Sequence, residues 1–230
     1  MSVRTARRTV VLSLAAVVVV SGCATGRPAV VGPVPDARGA AVSLEEGTRL
    51  GEPLQIRFEW RLNEARQRHR GVGIARVESP YRARLDLFTD DLESVLSAVL
   101  VDGELRLPPG SREDILPPTD LMWGALGIFR PHDVELLGGD ELEDDGVRLR
   151  YAYADGTELH YESAQGQLRS LELLEDGHVV QRVEVTMEGG DRYPAEARYR
   201  NMSDFRELTN VRESLERVAP FDAAIWNPAQ

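Results

Sequence analysis

Alternation of apolar and polar residues dominates the chain from residue 53 onward and predicts β-strands. In Tyr81–Leu87 the pattern puts Ala83, Leu85 and Leu87 on one face of a strand and Arg82, Arg84 and Asp86 on the other. Val147–Tyr153 repeats it, and further alternating segments follow up to residue 200, separated by short turns such as Asp155-Gly156 and Asp176-Gly177. Strands joined this way pair antiparallel, so residues 147–200 predict a five-stranded meander with one wet and one covered face.

A helical period replaces the alternation after Leu116-Pro117-Pro118. Apolar residues then recur at helical spacing until Pro131, namely Leu121, Met122, Ala125, Leu126 and Phe129. The segment is apolar on nearly all sides, which predicts a buried helix over about 117–129. Gly124 and Gly127 would each cost a helix interior about 1 kcal/mol relative to Ala, which favours a helix that approaches its neighbours closely or moves as a lid.

Residues 205–218 fit two structures. Leu208, Val211, Leu215 and Val218 have the spacing of an amphipathic helix, whereas Val211, Glu213 and Leu215 have that of an edge strand.

The first 22 residues have the features of a secretory signal. Three arginines (Arg4, Arg7 and Arg8) precede a largely apolar run from Thr9 to Val20, which at 12 residues is shorter than the roughly 20 that a membrane span needs. Val20-Ser21-Gly22-Cys23 resembles the lipobox of bacterial lipoproteins, which implies cleavage before Cys23, a diacylglyceryl thioether on its sulfur and an acylated N-terminus. Ala24 in the next position implies the outer membrane. The alternative is an ordinary signal peptide followed by a free cysteine.

These features predict three parts of the chain. Residues 1–22 are the signal peptide, 23–44 carry the lipidated cysteine and a flexible tether rich in Gly, Pro and Ala, and 45–230 form one domain. The predicted mature protein is held to the membrane by lipid alone and faces the periplasm.

The charge balance limits the partners. Removal of Arg4, Arg7 and Arg8 leaves 24 of the 27 basic residues against 38 acidic ones, a formal charge of −14. Such a charge argues against nucleic acid as a partner. Residues 51–90 are locally basic, which indicates either a solvated sheet face paired with acids or a docking surface for an acidic envelope protein.

No catalytic or cofactor motif emerges. The four histidines are scattered, no G-x-S-x-G is present, and Cys23 is the single cysteine. Gly71-Val72-Gly73 lacks the remainder of a dinucleotide motif and predicts a bend or bulge that lets a sheet curl. Asp140–Gly146 lacks the spacing of an EF-hand and predicts a solvated hairpin loop, with adventitious calcium as the alternative. We therefore predict no catalytic residue, no resident metal and no cofactor.

The order of these patterns resembles the LolA/LolB-type lipoprotein-carrier superfamily. The resemblance rests on Gly71-Val-Gly73-Ile, Ser79-Pro80, Arg82-Ala-Arg84-Leu-Asp86-Leu and the apolar helix after Leu116-Pro-Pro, and it spans about 53–228. It implies a mainly β fold with minor α content: a curved antiparallel sheet, or half-barrel, with one or two helices on its concave face. It also favours a strand at 205–218 and implies an apolar cavity for acyl chains of lipids or lipoproteins.

The apolar and aromatic residues that would line this cavity are Trp60, Leu85, Leu87, Trp123, Leu126, Phe129 and Trp226. The alternative is a filled core built from the same residues, because a cavity and a packed interior both need apolar side chains facing inward. Two functions follow: a non-enzymatic carrier of acyl chains, or an interaction lipoprotein that docks an envelope complex.

Overall fold

One antiparallel sheet organises the part of the chain that the computed structural model describes, residues 28–111, 116–188 and 190–228. Its strands are β1 (Val30–Pro33), β2 (Leu54–Glu64), β3 (Gln67–Glu78), β4 (Arg82–Thr89), β5 (Ser94–Val101), β6 (Glu104–Arg106), β7 (Glu135–Leu142), β8 (Gly146–Ala152), β9 (Glu158–Ala164), β10 (Gln167–Glu175), β11 (His178–Thr186), β12 (Glu196–Asn201) and β13 (Arg206–Arg217). Two α-helices, α1 (Ala37–Thr48) and α2 (Thr119–Ala125), and a 3₁₀ turn (Ala223–Trp226) complete it.

The strand order is β1-β7-β8-β9-β10-β11-β12-β13-β2-β3-β4-β5-β6, and the sheet is open and curved. Helix α1 packs against β7, β8 and β10, and α2 packs against β10, β11 and β12, so both helices cover the sheet. The predicted mainly β fold with a curved antiparallel sheet and covering helices is therefore confirmed. No helix among the described residues has both the length and the apolar character needed to cross a membrane.

The five strands predicted for residues 147–200 are present as β8 to β12. Their turns match the predicted positions: Gln165 and Gly166 both have positive φ angles, as do Asp176 and Gly177. Two successive left-handed residues form the type of two-residue turn that suits the twist of paired antiparallel strands. The acidic run at 140–146 likewise forms the β7–β8 hairpin, as predicted.

Residues 206–217 form the long strand β13, which settles the choice between helix and strand. It pairs with both β12 and β2, so it lies inside the sheet rather than at an edge. Leu208 pairs with Leu62 and Tyr199 and is buried. Most residues of β13 are only partly buried, which explains why its period was ambiguous.

The predicted flexible tether is wrong for residues 30–44. Residues 30–33 pair with β7, and α1 begins after Asp36, whose side chain accepts a hydrogen bond from Gly39 N as a helix N-cap. Leu44 on α1 belongs to the core. Ala37, Ala40 and Ala41 pack against the core, and their small side chains let the helix approach it closely. Residues 1–27, including the predicted signal peptide and Cys23, lie outside the described residues.

The predicted buried helix is shorter than expected. Helix α2 ends at Ala125, and a C-terminal motif follows in which Gly127 N donates to Gly124 O and Ile128 N donates to Trp123 O. Gly127 has φ +73°, so it terminates the helix instead of weakening its interior. A Cβ on Gly124 would lie 2.9 Å from a methyl group of Leu171, so this glycine permits close packing on β10.

Of the predicted bend or bulge at Gly71 and Gly73, the bulge is not formed. The pairing of β3 with β2 and β4 runs through both positions without a register shift. Both glycines permit close approach: Gly71 to the backbone of β4 at Phe88, and Gly73 to the ring of Phe58, its pairing partner on β2. A Cβ on Gly73 would lie 2.2 Å from the Phe58 ring.

Ion pairs cover the outer face of the sheet. Asp86 is buried, and its carboxylate lies 2.7 Å from Arg76 and 3.0 Å from Arg84. Arg84 also donates to the carbonyl of Ile225 in the 3₁₀ turn, which packs against β4 and β5. Many of the arginines on alternating strand positions thus pair with acids, as one of the two sequence-based interpretations expected.

Candidate functional site

An apolar cavity of about 90 Å³ lies between the inner face of the sheet and the segment around α2. Strands β2, β4 and β5 form one side, β12 and β13 another, and the chain on either side of α2 covers it. Side chains that line it include Ile56, Phe58, Leu85, Leu100, Leu126 and Tyr199. Ligand pockets usually measure about 300–1,000 Å³, so the cavity by itself is too small for a long acyl chain.

A larger hollow of about 580 Å³ lies beside this cavity and opens to solvent. Both are lined by Leu116 and Leu208, so these two side chains form the boundary between them. The hollow occupies the end of the sheet where β3 extends beyond β4: Gly71 pairs with Thr89, and residues 67–70 have no β4 partner. Its position follows from the unequal extents of the β2–β3 and β3–β4 hairpins.

The hollow has an apolar floor and a charged rim. Trp60, Leu62, Leu87, Val95 and Leu208 supply the apolar side chains, and Arg68, His69, Arg70, Asp90 and Asp91 supply the charged and polar ones. An apolar interior beneath a polar opening suits an amphiphile, whose chain leaves water while its head group remains hydrated.

Four of the seven residues predicted from the sequence line these spaces. Leu85 and Leu126 line the cavity, and Trp60 and Leu87 line the hollow. Trp60 is held in place because its indole Nε1 donates to Val72 O at 3.1 Å and to Phe88 O at 3.0 Å.

The other three predicted residues line neither space, and two of them, Trp123 and Phe129, belong to the packed core. Trp123 is fully buried, and its Nε1 donates to Asp102 O at 2.6 Å. The Phe129 ring packs edge-on against Tyr161 with ring centroids 4.6 Å apart. Phe129 N also donates to the Thr48 hydroxyl, which connects the segment after α2 to α1. Trp226 lies in the 3₁₀ turn beside β4 and β5, away from the cavity.

A buried carboxylate that the sequence did not single out fixes the start of α2. Asp120 accepts a hydrogen bond from the Tyr153 hydroxyl at 2.6 Å and another from His132 N at 3.0 Å. Its burial raises the pKa of Asp120, and burial together with this hydrogen bond raises the pKa of Tyr153. The role of Asp120 emerges only from residues distant in sequence, so no local pattern indicates it.

Helix α1 is fixed to the sheet in a similar way. The Tyr81 hydroxyl donates to Glu45 at 2.7 Å, and the Arg130 guanidinium lies 4.4 Å from the centroid of the Tyr81 ring. Burial, then the hydrogen bond to Glu45, raise the pKa of Tyr81 to about 12, so the hydroxyl stays protonated and keeps donating at physiological pH. Both helices that cover the sheet are therefore joined to it by polar contacts as well as by apolar packing.

The described residues contain no group of three or more His, Cys, Asp or Glu side chains placed to hold a metal ion. Three of the four histidines have contacts that define their surroundings. His160 lies 2.7 Å from Glu158, His132 lies 3.3 Å from Asp133, and His69 lines the rim of the hollow.

Solved structures share this fold. No protein-family model and no curated protein matches the chain. A LolA superfamily protein from Nitrosomonas europaea matches over 82% of this chain and 96% of its own, at 9% identity and a TM-score of 0.56. A DUF1329 family protein from Desulfovibrio piger matches over 85% and 97%, at 11% identity and a TM-score of 0.57.

A third structure, an outer membrane lipoprotein-sorting protein domain from Vibrio parahaemolyticus, matches over 82% of this chain and 95% of its own, at 9% identity and a TM-score of 0.53. At these identities the likeness concerns the fold. The LolA/LolB-like fold predicted from the sequence is confirmed.

Proposed function

We propose that this chain, which has the fold of the LolA superfamily, is a non-enzymatic lipoprotein of the bacterial envelope that binds acyl chains of lipids or lipoproteins. Cys23 carries its lipid anchor, and the body faces the periplasm from the outer membrane. The lipobox-like sequence before Cys23 supports the anchor, and the likeness to an outer membrane lipoprotein-sorting protein domain from Vibrio parahaemolyticus supports the location.

The observation that carries the proposal is that the open hollow adjoins the apolar cavity at Leu116 and Leu208, which line both spaces. An acyl chain that enters the hollow meets Leu62 and Leu87 first and then reaches the cavity near Leu126. Each buried methylene contributes about 0.8 kcal/mol, so affinity should increase with chain length until the cavity is filled.

The test uses the body from residue 24 onward, which contains the complete sheet and core. Native mass spectrometry and solvent extraction should detect co-purified lipid, and unlabelled fatty acid should displace a fluorescent fatty acid saturably. Leu126→Gln should weaken this binding because it places an amide in the cavity. Leu137→Gln is the matched control, since Leu137 is half exposed on β7 and lines neither space.

An interaction lipoprotein that docks an envelope complex is the second candidate. It is favoured by the small enclosed volume, about 90 Å³, and by the packed core around Trp123 and Phe129. A body that purifies without lipid and binds no fluorescent fatty acid would support this candidate and refute the carrier.

A further inference from the structure

The rim of the hollow carries two charged side chains of opposite sign that have no partner among the described residues. Arg68 on β3 and Asp91 in the β4–β5 turn both line the hollow, and both are exposed. The neighbouring charges differ from them, because Arg70 pairs with Asp90 at 2.9 Å and Glu64 pairs with Arg206. One free cation and one free anion therefore stand at the opening of an apolar pocket.

From this arrangement we propose that the hollow recognises a zwitterionic phospholipid head group, one that combines a phosphate with a primary ammonium. The inference rests on the proposed acyl-chain binding and specifies its ligand. The guanidinium of Arg68 donates two parallel hydrogen bonds to phosphate oxygens, a geometry for which this side chain is suited. The carboxylate of Asp91 accepts from the ammonium group.

The remaining rim residues explain why the head group needs both a negative and a positive charge. A purely anionic head group would meet Arg68 but would also be repelled by Asp91 and by the paired Asp90. A purely cationic head group would be attracted by Asp91 but repelled by Arg68 and by the paired Arg70. His69 pairs with Leu62 across the β2–β3 hairpin and is an exposed lining residue of the hollow.

The hollow also has the shape that such a ligand requires. Its floor of Leu62, Leu87 and Leu208 adjoins the cavity at Leu208, so a head group on the rim would position its acyl chain on the side of the cavity. The volume of the hollow, about 580 Å³, lies within the range of small-molecule pockets, roughly 300–1,000 Å³.

The test measures displacement of a fluorescent fatty acid by single-chain lipids that share one acyl chain and differ in head group. The probes are lysophosphatidylethanolamine, lysophosphatidylglycerol, lysophosphatidylcholine and the uncharged monoacylglycerol. The ethanolamine lipid should bind most tightly. Arg68→Gln should weaken the three phosphate lipids roughly five-fold and leave monoacylglycerol unchanged, since exposed ion pairs contribute up to about 1 kcal/mol.

Asp91→Asn should weaken the ethanolamine lipid most, because only its head group combines a positive charge with N–H donors, and it should not weaken lysophosphatidylglycerol, whose anionic head group Asp91 repels. Arg66→Gln and Asp145→Asn are the matched controls: both residues are exposed, lack partners among the described residues and lie outside the hollow. Equal affinity for all four lipids, or equal losses across them in Arg68→Gln, would overturn the head-group assignment while acyl-chain binding stands. Failure of every lipid to bind the unmodified body would refute the proposed function itself.

Discussion

Filling the apolar cavity should stabilise the protein and weaken ligand binding at the same time. Ala98 on β5 lines the cavity, is 1% exposed and pairs with Leu85 across the sheet. Ala98→Leu adds three carbon atoms at this position. The added side chain would occupy the space between β5 and the segment around α2.

The magnitude follows from the size of the cavity. An empty cavity costs about 24 cal/mol per Å³, so the 90 Å³ found here correspond to about 2 kcal/mol of unfolding free energy. That value is the upper limit of the gain for Ala98→Leu. In a domain of this size, about 2 kcal/mol shifts the melting temperature by about 4–8 °C.

Thermal and urea unfolding of the ligand-free body measure the stability, and displacement of a fluorescent fatty acid measures the binding. The matched control is Ala164→Leu, because Ala164 is 6% exposed on β9 and lines neither space. Forcing extra methylenes into a packed site typically costs about 1–3 kcal/mol. If Ala98→Leu loses as much stability as the control, the cavity does not have the assigned volume. If it gains stability and binds fatty acid normally, the ligand does not reach the cavity.

Three further predictions concern the packing, the pH dependence and the anchor. Gly71→Ala should lower the unfolding free energy by about 3 kcal/mol in urea titrations, because its Cβ would lie 1.9 Å from the carbonyl oxygen of Phe88. Gly32→Ala is the control and should be near neutral, since a Cβ on Gly32 would meet open space. The pKa of Asp120 is raised in the folded protein, so the stability that its protonation contributes is complete below the unfolded pKa of about 3.9 and is lost as pH rises through the folded pKa. Asp120→Asn should therefore lose less unfolding free energy than the native chain between pH 4 and 7. Parallel pH profiles of the two proteins would contradict this. Cys23→Ala should release the protein from membranes and abolish labelling with radioactive palmitate, and unchanged labelling would refute the lipid anchor.

The sequence predicted the strands best where the pattern was regular and the turns were explicit. Residues 147–200 alternate cleanly and contain Asp-Gly and Gln-Gly turns, and each predicted strand is present there. Prediction failed for residues 30–44, because a composition rich in Gly, Pro and Ala is shared by flexible tethers and by closely packed helices such as α1. The small residues that suggested flexibility are the ones that pack against the core.

The candidate site was predictable only in part. Apolar alternation placed Leu85 and Leu87 on the inner face, but the pattern is the same for a residue that lines a cavity and one that fills a core. Trp123 and Phe129 belong to the core because of contacts with Asp102, Tyr161 and Thr48, which lie on other elements. The rim residues Arg68 and Asp91 had no distinguishing local signal.

The sequence by itself determined the antiparallel sheet, its turns and the apolar face, because side-chain alternation and turn chemistry are properties of neighbouring residues. Only the tertiary structure decided that residues 206–217 form an interior strand, that α1 belongs to the domain, and that a hollow opens where β3 outreaches β4. These features depend on strand pairing, relative strand length and close packing between distant segments. Such long-range contacts leave no period in the sequence.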